Sequence, residues 1–335
     1  MKTLLVGYKA ADLFERGKHG KKFTAKWIDG DVLCHTLDIY HRHAIEKTHH
    51  IRAVCSPHLP EGPWDLIKFK TGPKLMSGEL SLDMLQEIHR LKPAKFELEF
   101  VGKERDRNEL LAKIRDDPDR VRDFGAKWPA SVPGGERLMF TSYPGCFCHR
   151  RLDEGGLALA EVISRDLASS PIPHPSSPIS HLSSLISHLS SLISHLPSPK
   201  LLDMGCGCGL VGFLVKSVVK DILLVMVDSH SRAVESANLN AANFNMPAEV
   251  ILADNGTPAR MDGTFDVFAG NPPYYSDYRI AEVFLETAKR ALKPGGVCYT
   301  VVKNDAGLRP VQERYFPDVE VIRRRGYCVL KSLRN

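Results

Sequence analysis

Leu201-Leu202-Asp203-Met204-Gly205-Cys206-Gly207-Cys208-Gly209 is the stretch on which the fold turns. It reads as a short apolar strand that enters a turn with three alternating glycines, and residues 210–220 then read as a helix. Glycines at those places let the backbone turn tightly and approach a ligand closely, where a side chain would stand in the way. Further along, Asn271-Pro272-Pro273-Tyr274 ends another apolar strand with an amide, two rigid rings and an aromatic. The pair suggests a cofactor cradle facing a clamp for a planar substrate that bears an amino group.

Working outward, the chain alternates regularly. Residues 200–204, 222–227, 249–253, 265–269 and 297–302 are predicted strands, the second ending in Asp228 and the third in Asp254 and Asn255. Residues 232–245 and 278–292 are predicted helices, the latter with Ile280, Val283, Phe284, Ala288 and Leu292 on one face. Residues 319–322 and 327–331 read as a terminal hairpin with Arg323-Arg324-Arg325-Gly326 at its turn. That basic tip suits phosphates or plain solvation. Continuous apolar strands joined by helices mean a parallel sheet covered on both faces, whose ligands gather at the carboxyl ends of the strands.

The first part of the chain has the same texture. Residues 3–6, 32–37, 51–55, 66–69 and 96–101 are candidate strands, and residues 82–91 and 108–116 candidate helices. An ungapped repeat links the halves. At an offset of 201 positions, Trp64-Asp65-Leu66-Ile67 aligns with Phe265-Asp266-Val267-Phe268, and Leu91-Lys92-Pro93 aligns with Leu292-Lys293-Pro294. The first copy lacks the glycine turn and carries Lys70-Thr71-Gly72 opposite Asn271-Pro272-Pro273. If the halves are related, the first has lost its chemistry. The expected organisation is a first domain at 1–127, a Pro- and Gly-rich linker at 128–139, and a second domain at 140–335. Residues 169–199 form a low-complexity insertion in which the heptad Ile-Ser-His-Leu-Ser-Ser-Leu recurs. Its apolar spacing resembles a coiled coil, but bracketing prolines and the lack of charged flanking positions favour a mobile insertion.

Bulk properties are those of a globular protein with two cores: 335 residues, 43% hydrophobic, 25% charged. No run has the length of a membrane span and the amino terminus is too short in apolar residues for a signal peptide, so a cytoplasmic location is expected. A net charge of +5 permits an RNA partner without requiring one. The eight cysteines include no C-x-x-C pair, and the fourteen histidines show no ligand spacing, so reduced thiols and no metal site are expected.

Asp228 stands 19 residues beyond Gly209 at the end of the next strand, which suits hydrogen bonds to two ribose hydroxyls and fits a nicotinamide cofactor as well. Asp203 tilts the reading: a carboxylate near the cradle repels a pyrophosphate and tolerates a cationic amino group or sulfonium, the alternative being that it caps the neighbouring helix. With Asn271-Pro272-Pro273-Tyr274, these residues resemble the class I S-adenosylmethionine-dependent methyltransferases that act on planar amino groups. Pro144-Gly145-Cys146-Phe147, followed by Leu152-Asp153-Glu154-Gly155 and the glycine turn, resembles more closely the bacterial ribosomal-RNA guanine-N2 methyltransferases. That family carries a degenerate, cofactor-free copy ahead of the active domain.

The resemblance implies a Rossmann-like α/β fold: a seven-stranded, mostly parallel sheet with a terminal antiparallel hairpin, preceded by a smaller degenerate copy that positions RNA. It implies S-adenosylmethionine as cofactor, held by Asp203, Gly205, Gly207, Gly209, Asp228, Asp254, Asn255 and Asn271. It implies that the Asn271 oxygen and the Pro272 carbonyl accept the two amino hydrogens, with Pro273 shaping the clamp and Tyr274 stacking on a base drawn out of its helix. A methyl group would then pass in line from sulfonium to nitrogen, driven by alignment more than by a strong base. The expected partner is ribosomal RNA or a ribosomal subunit, and the expected state a monomer. The chain departs from the family pattern in Tyr274-Tyr275, in Gly156 where serine is usual, and in residues 169–199. Methylation of adenine N6 or of a protein glutamine N5 stays open, because both use the same tetrapeptide. A catalytically silent RNA-binding or assembly factor is the alternative of another class.

Overall fold

A computed structural model describes residues 1–16, 23–25, 30–49, 51–115, 122–169, 198–273 and 278–335. Two open sheets dominate it, one parallel and one mostly parallel. In the first half, β1 (Lys2–Val6), β4 (Asp31–Thr36), β5 (Arg52–Cys55), β6 (Leu66–Thr71) and β7 (Lys95–Phe100) form a five-stranded sheet in the order β5-β4-β1-β6-β7. A short ribbon of β2 (Phe14–Arg16) and β3 (Phe23–Ala25) lies outside it. The connecting helices are α1 (Ile39–His49), α2 (Gly78–Leu91) and α3 (Glu104–Arg115). Leu80, Leu82, Met84, Leu85 and Ile88 of α2 are buried, so its apolar stripe lies on the sheet with Ile67 and Phe69. Ser77 caps α2 by accepting the N–H of Leu80, and Lys92 ends it in the left-handed conformation.

All five strands expected in the first half are present and share one sheet. Helix α1 was not foreseen. Its sequence is mostly polar with four histidine or arginine side chains, and it has no clean apolar stripe for periodicity to reveal.

The second half holds β10 (Lys200–Met204), β11 (Leu223–Asp228), β12 (Glu249–Leu252), β13 (Phe265–Gly270), β14 (Leu292–Val302), β15 (Glu320–Arg324) and β16 (Tyr327–Leu333). Two strands precede these, β8 (Ala126–Ala130) and β9 (Leu138–Ser142). The helices are α4 (Glu154–Ser169), α5 (Leu210–Val218), α6 (Ser231–Phe244), α7 (Arg279–Ala291) and α8 (Asp305–Glu313). The sheet order is β12-β11-β10-β13-β14-β16-β15, with β16 antiparallel to both its neighbours. This is the expected seven-stranded Rossmann-like sheet with its terminal hairpin. Its first five strands repeat the order of the smaller sheet.

One core lies between the sheet and α4, α5 and α6, and includes Leu159, Ile163, Leu201, Phe213, Leu214, Met226 and Val301. Another lies on the opposite face and includes Leu202, Val227, Phe265, Phe268, Leu285 and Phe316. Burial on both faces is why the strands read as unbroken apolar runs.

The stretch 128–139, expected to be a linker, is built into the second half instead. β8 and β9 pair as an antiparallel hairpin, and Trp128, Ala130, Val132, Leu138 and Phe140 point into the larger core. Trp128 stacks on Phe140 at 5.1 Å, and Phe140 meets Phe244 edge-on at 5.1 Å. The prolines and glycines of this stretch obscure a period-two pattern of inward residues. Most of the repeat insertion, residues 170–197, lies outside the described residues, and so do Tyr274 and Tyr275.

Candidate functional site

β10 is the axis of the site. It pairs in parallel with β11 on one side and β13 on the other, so the glycine turn after Met204 stands between Asp228 and Asn271. Gly205, Gly207 and Gly209 all have positive φ, at 69°, 56° and 86°. The N–H groups of Gly205 and Cys206 both donate to the Val227 carbonyl, at 2.8 and 3.1 Å, which ties the turn to the end of β11.

The glycines serve different ends. A Cβ on Gly205 would sit 2.8 Å from the Phe284 ring, and one on Gly209 would sit 2.5 Å from the Phe213 ring. Both are needed for packing. A Cβ on Gly207 would meet Cys146 Sγ at 3.8 Å, an ordinary contact, so this residue is not held to glycine by crowding. Its φ of 56° is what calls for glycine there.

The Asp228 carboxylate is held by two backbone donors, with Oδ2 accepting the N–H of Gly207 at 2.8 Å and Oδ1 that of His230 at 2.9 Å. Burial pushes its carboxyl up from the ordinary range, and these two hydrogen bonds pull it back. An ionised carboxylate offers about four acceptor positions, so two are left for hydroxyl groups.

Of the two places expected for Asp203, the structure gives it the helix cap. It is 2% exposed, and its Oδ2 accepts the N–H of Gly212 at 3.0 Å in the first turn of α5. Burial raises its carboxyl to about 7 against that hydrogen bond. Asp203 is therefore an interior cap for the helix that follows the cradle, and not a fixed negative charge on the cradle wall. The carboxylate at the cradle is Asp228.

Asp254 and Asn255 follow β12. Asn255 is exposed, while the Asp254 carboxylate lies 3.2 Å from His43 Nδ1 of α1, so the first half touches this edge of the site. The halves also meet at the end of β11. The Ile39 N–H donates to the Ser229 carbonyl at 2.9 Å, and the Ser231 N–H donates to the Leu37 carbonyl at 2.7 Å.

On the other side of the turn, Asn271 follows β13, with Pro272 buried and Pro273 half-buried. Asn271 Nδ2 donates to Asp153 Oδ2 at 2.6 Å. Asp153 was quoted in sequence only as part of a motif, with no role, because 118 positions separate it from Asn271. A second partner missed in sequence is Asn240 of α6. Its amide accepts the Thr141 N–H at 2.9 Å and donates to the carbonyls of Thr141 and Cys208 at 2.9 and 3.0 Å. It joins the β8–β9 hairpin to the glycine turn. Asn on a helix gives no sequence signal for such a task.

Register identifies what the first half carries at the same places. Thr3 pairs with Leu66 as Leu201 pairs with Val267, so Gly7 corresponds to Gly205, and its φ of 77° matches. Lys2 pairs with Asp31 as Lys200 pairs with Leu223, so Thr36 corresponds to Asp228. Lys70 corresponds to Asn271. Lys70 Nζ reaches Asp12 at 2.7 Å and Glu99 at 3.0 Å, and the Tyr8 hydroxyl donates to Glu99 at 3.0 Å. Ion pairs and a tyrosine ring stand where the second half has its glycine turn and Asn271.

The arginines of the terminal hairpin are engaged. Arg324 pairs with Glu161 of α4, Arg325 donates to Glu154 at 2.8 Å, and Arg323 lies 3.8 Å from Asp305. They fasten β15 and the hairpin turn to neighbouring helices. Among the described residues no group of three or more His, Cys, Asp or Glu side chains is placed to hold a metal, and no helix is long and apolar enough to cross a membrane.

Residues 183–331 match the family model of the methyltransferase small domain. Among curated proteins, the chain is 29% identical over 202 residues to ribosomal RNA small subunit methyltransferase C of Pseudomonas syringae pv. tomato, covering 59% of this chain and 48% of that protein. It is 28% identical over 204 residues to the protein of the same name from Haemophilus influenzae, covering 60% of this chain and 52% of that one. The chain thus spans about half the length of the curated relatives it matches. Among solved structures it resembles the T. thermophilus 16S rRNA N2 G1207 methyltransferase in complex with AdoMet and guanosine, with a TM-score of 0.69 and 16% identity. That likeness covers 100% of this chain and 88% of the other. It extends over both sheets and establishes the two-sheet methyltransferase fold.

Proposed function

We propose that this chain, whose second half carries the methyltransferase small domain on a class I methyltransferase sheet, transfers a methyl group from S-adenosylmethionine to the exocyclic N2 amino group of a guanine in ribosomal RNA. One observation carries the reading: Asp228 and Asn271 stand on the two strands that flank β10, on either side of its glycine turn. A ribose-binding acid and an amino-group clamp are thereby set on opposite sides of one cradle.

The residues present fit the cofactor. Gly207 ties the turn to Asp228 through its N–H, and Asp228 keeps acceptor positions for two ribose hydroxyls. Gly205 and Gly209 shape the turn, Asp254 and Asn255 border the adenine end, and Asp203 braces the helix behind. When bound, S-adenosylmethionine supplies an electrophilic methyl group on a sulfonium.

The chain's own contribution is alignment. The Asn271 oxygen and the Pro272 carbonyl accept the two hydrogens of the amino group, which turns its lone pair away from the ring and toward the methyl. Proximity and orientation of this kind account for most of the acceleration an enzyme needs for such a transfer. The fixed prolines keep the acceptors from shifting, at no cost in backbone entropy on binding. Tyr274 follows as the surface on which an extruded base stacks. The first half, with Tyr8 and Lys70 where the second has Cys206 and Asn271, acts as the part that positions RNA. The chain works as a monomer in the cytoplasm, on ribosomal RNA or a ribosomal subunit.

The test is product analysis. Protein, S-adenosylmethionine and unmodified ribosomal RNA or subunits are incubated, and the digested nucleosides are analysed by mass spectrometry. N2-methylguanosine is expected. N6-methyladenosine, or no methylated nucleoside from protein that binds the cofactor, would overturn the assignment.

A further inference from the structure

Asp153 precedes α4 and caps it. Its Oδ1 accepts the N–H of Gly155 and its Oδ2 that of Gly156, both at 3.1 Å. Capping alone would account for a Ser, Thr, Asn or Asp at this position. The carboxylate does more, because Oδ2 also takes Asn271 Nδ2 at 2.6 Å, from a strand end remote in sequence. Gly156 makes room for this: a Cβ there would lie 2.8 Å from Asp153 Oδ2.

We infer that Asp153 is a positioning residue for the methyl transfer, fixing the Asn271 amide so that its nitrogen faces Asp153 and its oxygen faces the substrate amino group. The reason lies in donor and acceptor chemistry. An ionised carboxylate only accepts, so only the NH2 end of an amide can lie against it. The two faces of an amide are nearly equal in shape, and without such a partner Asn271 could present either one. Presenting NH2 to an amino group sets donor against donor. Presenting the oxygen supplies the acceptor that the clamp requires. The two backbone N–H groups hold the carboxylate rigidly, so the orientation is set before substrate arrives. Burial raises the Asp153 carboxyl, while the N–H groups of Gly156 and Gly155 and the Asn271 amide lower it.

This inference rests on the proposed amino-group clamp, and the experiment separates the two. Asp153→Ser keeps a good helix cap but removes the oxygen that reaches Asn271. The first readout needs no turnover: the side-chain NH2 resonances of Asn271 in the 15N-labelled protein, assigned by their loss in Asn271→Ala. In the parent they are expected as two dispersed signals in slow exchange, and in Asp153→Ser as a pair collapsed to the positions of a solvated amide. The second readout is kinetic. Asp153→Ser should lower kcat on ribosomal RNA by about 100-fold, as misplacement of a reacting group can, with KM and S-adenosylmethionine affinity within about twofold of the parent by calorimetry. In an Asn271→Ala background the same substitution should cost nothing further, since the two residues act as one unit.

An unchanged Asn271 amide signal, or a kcat within twofold of an active parent, overturns the inference. A collapsed signal in protein whose parent yields no methylated guanine leaves the positioning role standing and removes the guanine assignment. If Asp153→Ser does not fold, Asp153→Asn serves in its place. It keeps the shape and one acceptor oxygen but can no longer satisfy Gly155, Gly156 and Asn271 together, and the same two readouts decide.

Discussion

Arg232 tests how the two halves are held together. It lies in the first turn of α6 in the second half and is 1% exposed. Its guanidinium binds mainly to the first half: Nε donates to the Pro57 carbonyl at 3.0 Å, Nη2 to Glu87 at 3.2 Å and Nη1 to Asp83. Nη1 also lies 3.5 Å from the Pro144 carbonyl. His58 adds a second bridge, 2.9 Å from both Glu87 and Glu235.

Arg232→Met keeps the hydrocarbon stem and removes the charge, leaving two carboxylates four residues apart on α2 without the cation they share. Removing one member of a buried ion pair costs about 3–5 kcal/mol. Here the Asp83 and Glu87 side chains keep 20% and 12% exposure, so the lower end, about 3 kcal/mol, is expected. At the 2–4 °C per kcal/mol typical of domains of 150–250 residues, Tm should fall by about 6–12 °C. The measurement is urea unfolding followed by far-ultraviolet circular dichroism and tryptophan fluorescence. Trp27 and Trp64 lie in the first half and Trp128 in the second, so a Trp128→Phe background follows the first half and a Trp27→Phe, Trp64→Phe background the second. Arg232→Met should separate two transitions that coincide in the parent. The triple variant Arg232→Met, Asp83→Asn, Glu87→Gln should recover most of the loss, because neutral partners no longer repel. A loss below about 1 kcal/mol, or a triple variant no more stable than Arg232→Met alone, would refute the reasoning.

Asp203→Asn should change how stability depends on pH. Burial raises the Asp203 carboxyl from 3.8 to about 7, so the stability it contributes is fully present below about pH 4 and is lost as pH rises to 7. The asparagine does not titrate, and the difference from the parent should grow in the variant's favour by up to about 4 kcal/mol between pH 4 and 7; a pH-independent difference by thermal melting would remove the buried-acid reading. Asp228→Ala should weaken S-adenosylmethionine binding by about 1–3 kcal/mol through lost charge-assisted hydrogen bonds, and calorimetry showing equal affinity would take Asp228 out of the site. Asn271→Ala should lower kcat by at least about 100-fold, so full turnover on ribosomal RNA would mean that the tetrapeptide is a turn and no clamp.

Much of this molecule is written in local pattern. The strands of both sheets were legible because each is a short apolar run bounded by turns, and burial on both faces erases any polar alternation. The glycine turn was legible because positive φ at Gly205, Gly207 and Gly209 restricts the residue type. The duplication was legible too, since β6, α2 and β7 keep the spacing of β13, α7 and β14. The difference between the halves could be read too, as Lys70 against Asn271, before register set Thr36 against Asp228.

Only the tertiary structure decided where single polar atoms are directed. Asp203 and Asp228 both end strands near one turn, and charge alone made either a neighbour of the ligand. The fold seals Asp203 against Gly212 and leaves Asp228 at the cradle. It also brought Asp153 onto Asn271 and His43 onto Asp254, contacts between segments far apart in sequence. Residue type and spacing determine backbone geometry because sterics act within a few residues. Hydrogen bonds between remote side chains depend on how whole elements pack, and so the cradle could be read in the sequence while the atoms that orient its clamp could not.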